Sequence, residues 1–131
     1  MPHLSSVLLV DDDPTTNFLN ERLLKRLAVA DHILVARNGE EALTLLAQVC
    51  GLTGNSCPVL ILLDINMPVM NGIEFLEAYQ PQLPNLPIVV IALTTTAHPT
   101  DLMRLQELSI AGIVTKPLTK AKIEAILLEH F

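Results

Sequence analysis

The centre of the chain reads Val59-Leu60-Ile61-Leu62-Leu63-Asp64-Ile65-Asn66-Met67-Pro68-Val69-Met70-Asn71-Gly72. Its unbroken apolar start indicates a strand buried on both faces of a parallel sheet. The run ends at one carboxylate, Asp64, and an unpaired charge at the end of a buried strand is costly. Because ligands bind at the carboxyl ends of the strands in open α/β sheets, Asp64 is either a site residue or a cap for the following loop.

Strands and helices are predicted to alternate along the whole chain. The central stretch is β3, and the other strands are expected at 6–10 (β1), 32–36 (β2), 87–93 (β4) and 112–115 (β5). The helices are expected at 14–27 (α1), 38–47 (α2), 72–79 (α3), 99–108 (α4) and from 119 to the C-terminus (α5). This pattern predicts an α/β fold, a (βα)5 flavodoxin-like doubly wound parallel sheet with strand order 2-1-3-4-5.

Helix α1 has a clear predicted start and a predicted buried face. Asp is a favoured N-cap and Pro a favoured first helical residue, so Asp13-Pro14 should begin the helix. Five apolar residues recur at helical spacing and predict the buried stripe. They are Phe18, Leu19, Leu23, Leu24 and Leu27. Capping explains Asp13 but leaves the two preceding carboxylates without a structural role.

Composition excludes several classes of function. With 131 residues, the chain 1–131 is expected to be one domain with a real core. Its net charge of −6 supplies no basic stripe, which argues against nucleic acid as a partner. We also expect no signal peptide and no membrane association, and hence a cytoplasmic location, because the apolar runs are short and the start of the chain has no basic segment.

Polar residues follow four of the predicted strands at one edge of the sheet. They are Asp11 and Asp12 after β1, Asp64 after β3, Thr94 after β4 and Lys116 after β5. Taken singly, Asp64 and Thr94 are explained as caps and Lys116 as a loop residue. Two carboxylates ~4 Å apart repel by about 4 kcal/mol at an effective dielectric of ~20, so a proton or a cation is needed among them.

An all-oxygen set of ligands suits a hard ion, and Mg²⁺ fits best because it keeps several waters that a phosphate can replace. A carboxylate beside Mg²⁺, a lysine and a hydroxyl is suited to accepting a phosphoryl group. Asp64 would be the nucleophile, while Lys116 and Thr94 would contact the phosphoryl oxygens.

Five segments carry a family resemblance. They are Val7-Leu8-Leu9-Val10-Asp11-Asp12-Asp13-Pro14, Ala36-Arg37-Asn38-Gly39-Glu40-Glu41-Ala42-Leu43, Leu63-Asp64-Ile65-Asn66-Met67-Pro68 with Asn71-Gly72, Ile91-Ala92-Leu93-Thr94, and Lys116-Pro117. In their order and separation, the chain resembles the receiver domain of two-component response regulators, of the stand-alone chemotaxis-regulator type. The resemblance implies that Asp64 is phosphorylated by a sensor histidine kinase or a histidine phosphotransfer protein.

The same resemblance implies the roles of the other site residues. Mg²⁺ would be held by the acidic pair Asp11 and Asp12, by Asp64 and by the backbone carbonyl of Asn66. The phosphoryl-sensing groups would be Thr94 and Lys116. A cis peptide bond would join Lys116 to Pro117, and a downstream protein target would bind the α4-β5-α5 face.

One residue departs from the family pattern. Family members usually carry Tyr or Phe three residues before the lysine, whereas this chain has Ile113. An isoleucine cannot perform the aromatic rotamer switch that couples the site to the output face. Ile113 is therefore the one feature that favours an alternative function, a receiver-like binding scaffold that is never phosphorylated.

The expected function is a Mg-dependent phosphoacceptor signalling module of a two-component phosphorelay, and not an enzyme. A phosphatase of the haloacid dehalogenase type would need a second Asp two residues after the nucleophile, and this chain has Asn66 there. A Walker-type NTPase is excluded because the sequence has no Gly-rich loop ending in Lys-Ser/Thr.

Overall fold

Five parallel strands form the centre of the protein, in a computed structural model that describes residues 3–50, 58–65, 74–75, 77, 88–94 and 110–131. The strands are Leu4–Val10 (β1), Ala30–Ala36 (β2), Leu60–Asp64 (β3), Val89–Thr94 (β4) and Gly112–Thr115 (β5). They lie in the order β2-β1-β3-β4-β5, and each neighbouring pair is parallel. The predicted sheet and its strand order are confirmed.

Three helices are described over their full length. They are Pro14–Arg26 (α1), Gly39–Cys50 (α2) and Lys120–His130 (α5). Of the predicted α3, the structure describes Glu74, Phe75 and Glu77, all three helical. The remainder of α3 and the whole predicted α4 at 99–108 lie outside the described residues. Of the helices in the described ranges, none combines the length and the apolar character that a bilayer crossing requires.

The apolar core is divided between the two faces of the sheet. On one face, strand residues pack with Ala42 and Leu46 of α2 and with Phe75. On the other face, strand residues pack with Leu24 of α1 and with α5. Successive residues of β1 alternate between the two faces, as the period of a strand requires. Because both faces are covered, β3 is apolar from Leu60 to Leu63 and buried along its whole length, including Asp64.

The helices next to the carboxyl edge of the sheet start where the sequence predicts. The carboxylate of Asp13 caps α1, accepting hydrogen bonds from the backbone N–H of Thr15 at 3.0 Å and from Thr16 Oγ1 at 2.8 Å. The Thr119 hydroxyl caps α5 and accepts from the Lys122 N–H at 3.3 Å. Both caps satisfy backbone donors that a helix start leaves without partners.

The predicted buried stripe of α1 is wrong in its first half. Phe18 and Leu19 are 62% and 55% exposed, whereas Asn17, Asn20 and Leu24 are buried. These three lie at i, i+3 and i+7, so the buried stripe has helical period but is polar in its first half. Docking on the sheet has turned the two asparagines inward, and Asn17 reaches the backbone of Asp11, the first residue after β1.

Candidate functional site

Three carboxylates meet at the carboxyl edge of the sheet. Strands β1 and β3 are in register at Val10 and Leu63, so the residues that follow them come out side by side. Asp11, Asp12 and Asp64 each present one carboxylate oxygen, and these oxygens all lie within 4.8 Å of one another. Asp11 and Asp64 are buried, while Asp12 is exposed. The three aspartates predicted to share the edge are thus together.

Lys116 places a cation against two of these carboxylates. Its Nζ lies 2.7 Å from Asp11 Oδ2 and 3.4 Å from Asp64 Oδ1, and its side chain is only 17% exposed. Burial alone would lower the pKa of Lys116. The hydrogen bond to Asp11 and the charges of Asp64 and Asp11 together outweigh burial, so the pKa lies above its ordinary value of 10.5. The lysine is therefore fully charged at neutral pH.

The backbone around Lys116 is fixed on both sides. Its N–H donates to the carbonyl oxygen of Thr94 at 2.8 Å, which ties the end of β5 to the end of β4. The Lys122 ammonium donates to the carbonyl oxygens of Thr115 at 2.6 Å and of Pro117 at 3.0 Å. The Lys116-Pro117 peptide bond is cis, as the resemblance implies. These contacts hold the lysine stem at the edge of the acidic cluster.

Thr94 ends β4 and is buried, one strand away from Asp64 in the sheet. In register it lies beside Thr115, the residue before the lysine. The predicted hydroxyl and the predicted cation therefore follow adjacent strands at the same edge. Asn66, whose backbone carbonyl was predicted as a metal ligand, lies outside the described residues.

Sequence reasoning missed one residue of this region, Asn17. Its Nδ2 donates to the backbone carbonyl oxygen of Asp11 at 2.8 Å. The carboxylate of Asp11 is also held in place, since its Oδ1 accepts a hydrogen bond from the Asp13 N–H at 3.0 Å. Helical spacing back from Leu24 and Leu27 could have placed Asn17 on the buried face. It was missed because a hydrophobic pattern is defined by apolar residues, and an asparagine does not contribute to it.

The donor set fits a hard divalent cation. The three clustered groups are all carboxylates, and among the described residues a single ammonium, that of Lys116, pairs with them and leaves an excess of negative charge. Oxygen donors with excess negative charge suit Mg²⁺ or Ca²⁺ rather than soft metals. Two buried carboxylates and one exposed one give the cluster an open side on which a hydrated ion can keep several waters.

Comparison with known proteins identifies the same family that the site residues indicate. The family model described as the response regulator receiver domain matches residues 7–128. The response regulator Rcp1 of Synechocystis is 32% identical over 112 residues, which cover 84% of this chain and 75% of Rcp1. The sensor histidine kinase CheAY of Helicobacter pylori is 35% identical over 113 residues, but these cover only 13% of that protein.

Solved structures show the same fold over nearly the whole chain. A two-component response regulator from Cytophaga hutchinsonii superimposes with a TM-score of 0.86 at 27% identity and covers 98% of this chain and 97% of that one. A two-component response regulator from Legionella pneumophila gives a TM-score of 0.78 at 30% identity, with 95% and 96% covered.

Proposed function

The chain belongs to the response regulator receiver domain family, and from this membership we propose that it is a phosphoacceptor module of a two-component phosphorelay. Asp64 takes the phosphoryl group from a sensor histidine kinase or a histidine phosphotransfer protein. The observation that carries the proposal is the position of Asp64, a buried strand-end carboxylate 3.4 Å from a lysine ammonium and within 4.8 Å of two further carboxylates.

In the proposed transfer, an Asp64 oxygen forms a bond to phosphorus while the bond from phosphorus to the donor's imidazole nitrogen breaks. Lys116 neutralises charge on the phosphoryl oxygens, and the Thr94 hydroxyl donates to one of them. Mg²⁺, held by Asp11, Asp12, Asp64 and the Asn66 carbonyl, supplies further positive charge when bound. Both cations compensate for the approach of a phosphate to an acidic cluster.

Phosphorylation would act as a switch of the output surface. To take the active state from 1% to 99%, the phosphoryl group must favour it by about 5.5 kcal/mol. New contacts of a dianion with lysine, threonine and Mg²⁺ are the source of that preference. The downstream protein target is proposed to bind the α4-β5-α5 face, of which the structure describes β5 and α5.

Ile113 lies on that face and is 37% exposed. Because an isoleucine has no ring to swing inward, we propose that the site is coupled to the face by movement of the strand ends rather than by an aromatic rotamer. We further propose that residues 1–131 form one receiver domain that acts in the cytoplasm, as a signalling module and not an enzyme, without nucleic acid or membrane partners.

Intact mass spectrometry tests the proposal directly. The protein is incubated with Mg²⁺ and acetyl phosphate, beside an Asp64→Asn variant and a matched Asp31→Asn variant that changes an exposed carboxylate elsewhere. We expect a gain of one phosphoryl group in the wild type and in Asp31→Asn, and none in Asp64→Asn or in EDTA. Absence of the adduct, together with unchanged NMR spectra on addition of beryllofluoride, would favour the scaffold function instead.

A further inference from the structure

Asn17 is a polar side chain buried in the first half of α1. It is 5% exposed, and its position on the inward stripe of the helix is one that an apolar residue normally takes. Its Nδ2 donates to the Asp11 carbonyl oxygen at 2.8 Å. Its Oδ1 is buried and has no hydrogen-bond partner among the described residues. One end of the amide is therefore fixed, while the other end is an acceptor with no donor.

Hydrogen-bond chemistry assigns the NH₂ end and the oxygen end of the Asn17 side chain. A carbonyl oxygen can only accept, so the NH₂ group must be the end that faces Asp11. Turning the amide over would place two acceptors against each other, so the orphaned acceptor is a property of the packing and not of the amide assignment. Burying an acceptor without a donor costs stability, and such groups are uncommon in folded proteins.

The hydrogen bond of Asn17 holds a peptide group that lies within the acidic cluster. The Asp11 carbonyl belongs to the peptide plane that joins Asp11 to Asp12, the first two of the three acidic residues after β1. The Asp11 side chain is fixed separately, by the Asp13 N–H at 3.0 Å and by the Lys116 ammonium at 2.7 Å. Asn17 therefore sets the direction in which the backbone presents the second carboxylate, Asp12, whose side chain is exposed.

We propose that Asn17 is a positioning residue for the divalent cation of this site. Its Nδ2 fixes the peptide that joins Asp11 to Asp12, and thereby the direction in which two of the three clustered carboxylates are presented to the ion. This inference rests on the proposed function, since it assumes that the acidic cluster binds Mg²⁺. Partners outside the ligand shell orient the ligands, and their loss typically weakens metal binding 10–100-fold.

The test measures cation affinity rather than activity. Binding of Mn²⁺ to the unphosphorylated protein is titrated by electron paramagnetic resonance of the free ion, well below the unfolding temperature. Asn17→Leu keeps the side-chain size and removes both polar ends, and Asn17→Ala is a second variant. Asn20→Leu is the matched control, because Asn20 is a buried asparagine one turn further along the same helix.

We expect Asn17→Leu to raise the Mn²⁺ dissociation constant roughly 10-fold, and Asn20→Leu to change it less than about twofold. In phosphorylation by acetyl phosphate, the Mg²⁺ concentration for half-maximal rate should rise to the same extent in Asn17→Leu, while the rate at saturating Mg²⁺ is retained. A residue with a merely structural role would not produce that separation.

The unmodified protein provides a second measurement if the variants fold poorly. Mg²⁺ titration should shift the side-chain NH₂ and carbonyl carbon resonances of Asn17 in NMR spectra, and those of Asn20 much less. An unshifted Asn17 side chain, or a Mn²⁺ affinity equal to the wild type in Asn17→Leu, would overturn the inference. A wild-type protein that binds neither Mn²⁺ nor Mg²⁺ would instead overturn the proposed function.

Discussion

The two ends of β1 carry ion pairs of equal length in opposite surroundings. At the carboxyl end, Lys116 Nζ lies 2.7 Å from Asp11 Oδ2, with side chains 17% and 4% exposed. At the amino end, His3 Nε2 lies 2.7 Å from Asp31 Oδ1, with side chains 52% and 63% exposed. The comparison shows that distance alone does not set the energy of an ion pair, because burial decides how much solvent screens it.

The carboxyl end is a region of unbalanced charge. One ammonium faces two buried carboxylates, and a third carboxylate completes the cluster. Removing a partner from a buried pair leaves a charge that water cannot reach. Such an arrangement costs stability, which is common at functional sites.

The amino end is a balanced and exposed clamp. His3 Nδ1 lies 2.8 Å from the Ala28 carbonyl oxygen, while Nε2 faces the Asp31 carboxylate. Because both acceptors need a donor, this geometry requires the protonated imidazolium. The hydrogen bond to Asp31, followed by that to Ala28, raises the pKa of His3 above its ordinary value of 6.5. The pKa of Asp31 is lowered, chiefly by its hydrogen bond to His3.

The largest expected effect comes from removing the buried cation. Lys116→Met should lower the free energy of unfolding at pH 7 by about 3 kcal/mol without divalent cations, because Asp11 and Asp64 lose the ammonium that compensates their charge. Urea unfolding followed by circular dichroism gives the value. The matched variant Lys120→Met, which breaks an exposed 3.9 Å pair with Glu124, should stay within about 0.5 kcal/mol of the wild type.

The pH dependence of this effect has a definite sign. Since the pKa of Lys116 is raised in the folded protein, its contribution is fully present below the ordinary value of 10.5 and is lost as pH rises through the folded pKa. If Lys116→Met and the wild type had equal free energies of unfolding at neutral pH, burial would not make the Lys116 ion pair stronger than the exposed pair at the amino end of β1.

The next effect is stabilisation by the cation. Mg²⁺ at about 100 times its dissociation constant should raise the free energy of unfolding by about 2.7 kcal/mol, because it binds the folded protein alone. Thermal unfolding with and without Mg²⁺ measures this, and Asp64→Asn should reduce the gain. In His3→Gln, which alters only the other end of the sheet, the gain should remain at its full wild-type size.

A smaller effect of opposite sign is expected at Asp12. In the absence of cation, Asp12→Asn should raise the free energy of unfolding by about 1 kcal/mol, because it removes repulsion within the cluster. The adjacent Asp13→Asn provides the contrast. The pKa of Asp13 is lowered, first by the hydrogen bond from Thr16, so its carboxylate is favoured in the fold and its loss should not stabilise the protein. Chemical unfolding of both variants in EDTA compares the two signs.

The smallest effect is expected at the exposed clamp. The raised pKa of His3 means that its contribution is fully present below about pH 6.5 and is lost as pH rises through the folded value. Asp31, with its lowered pKa, stays ionised across that range. The difference in melting temperature between wild type and His3→Gln should therefore be visible near pH ~5.5 and vanish near pH ~9. A difference that is independent of pH would contradict the imidazolium geometry.

The pattern of apolar and polar residues was sufficient to predict the sheet and the edge at which its charged residues lie. Apolar runs broken by turn residues predict the strands, and parallel strands bring all their carboxyl ends to one edge. That rule places Asp11, Asp12, Asp64 and Lys116 at one edge of the sheet. The contact of Lys116 with Asp11 is a tertiary one, because β3 and β4 lie between their strands. Helix starts at Asp13 and Thr119 were equally local, since a cap depends on the few residues that follow it.

Tertiary packing was needed to establish which face of α1 is buried and which partners each charge has. Hydrophobic periodicity favoured Phe18 and Leu19, yet docking on the sheet exposes both and turns Asn17 inward. Periodicity registers apolar residues and cannot see a polar one that is buried because a backbone carbonyl needs a donor. The same limit hid the clamp between His3 and Asp31, which are 28 residues apart in sequence and meet only because β1 and β2 pair in register.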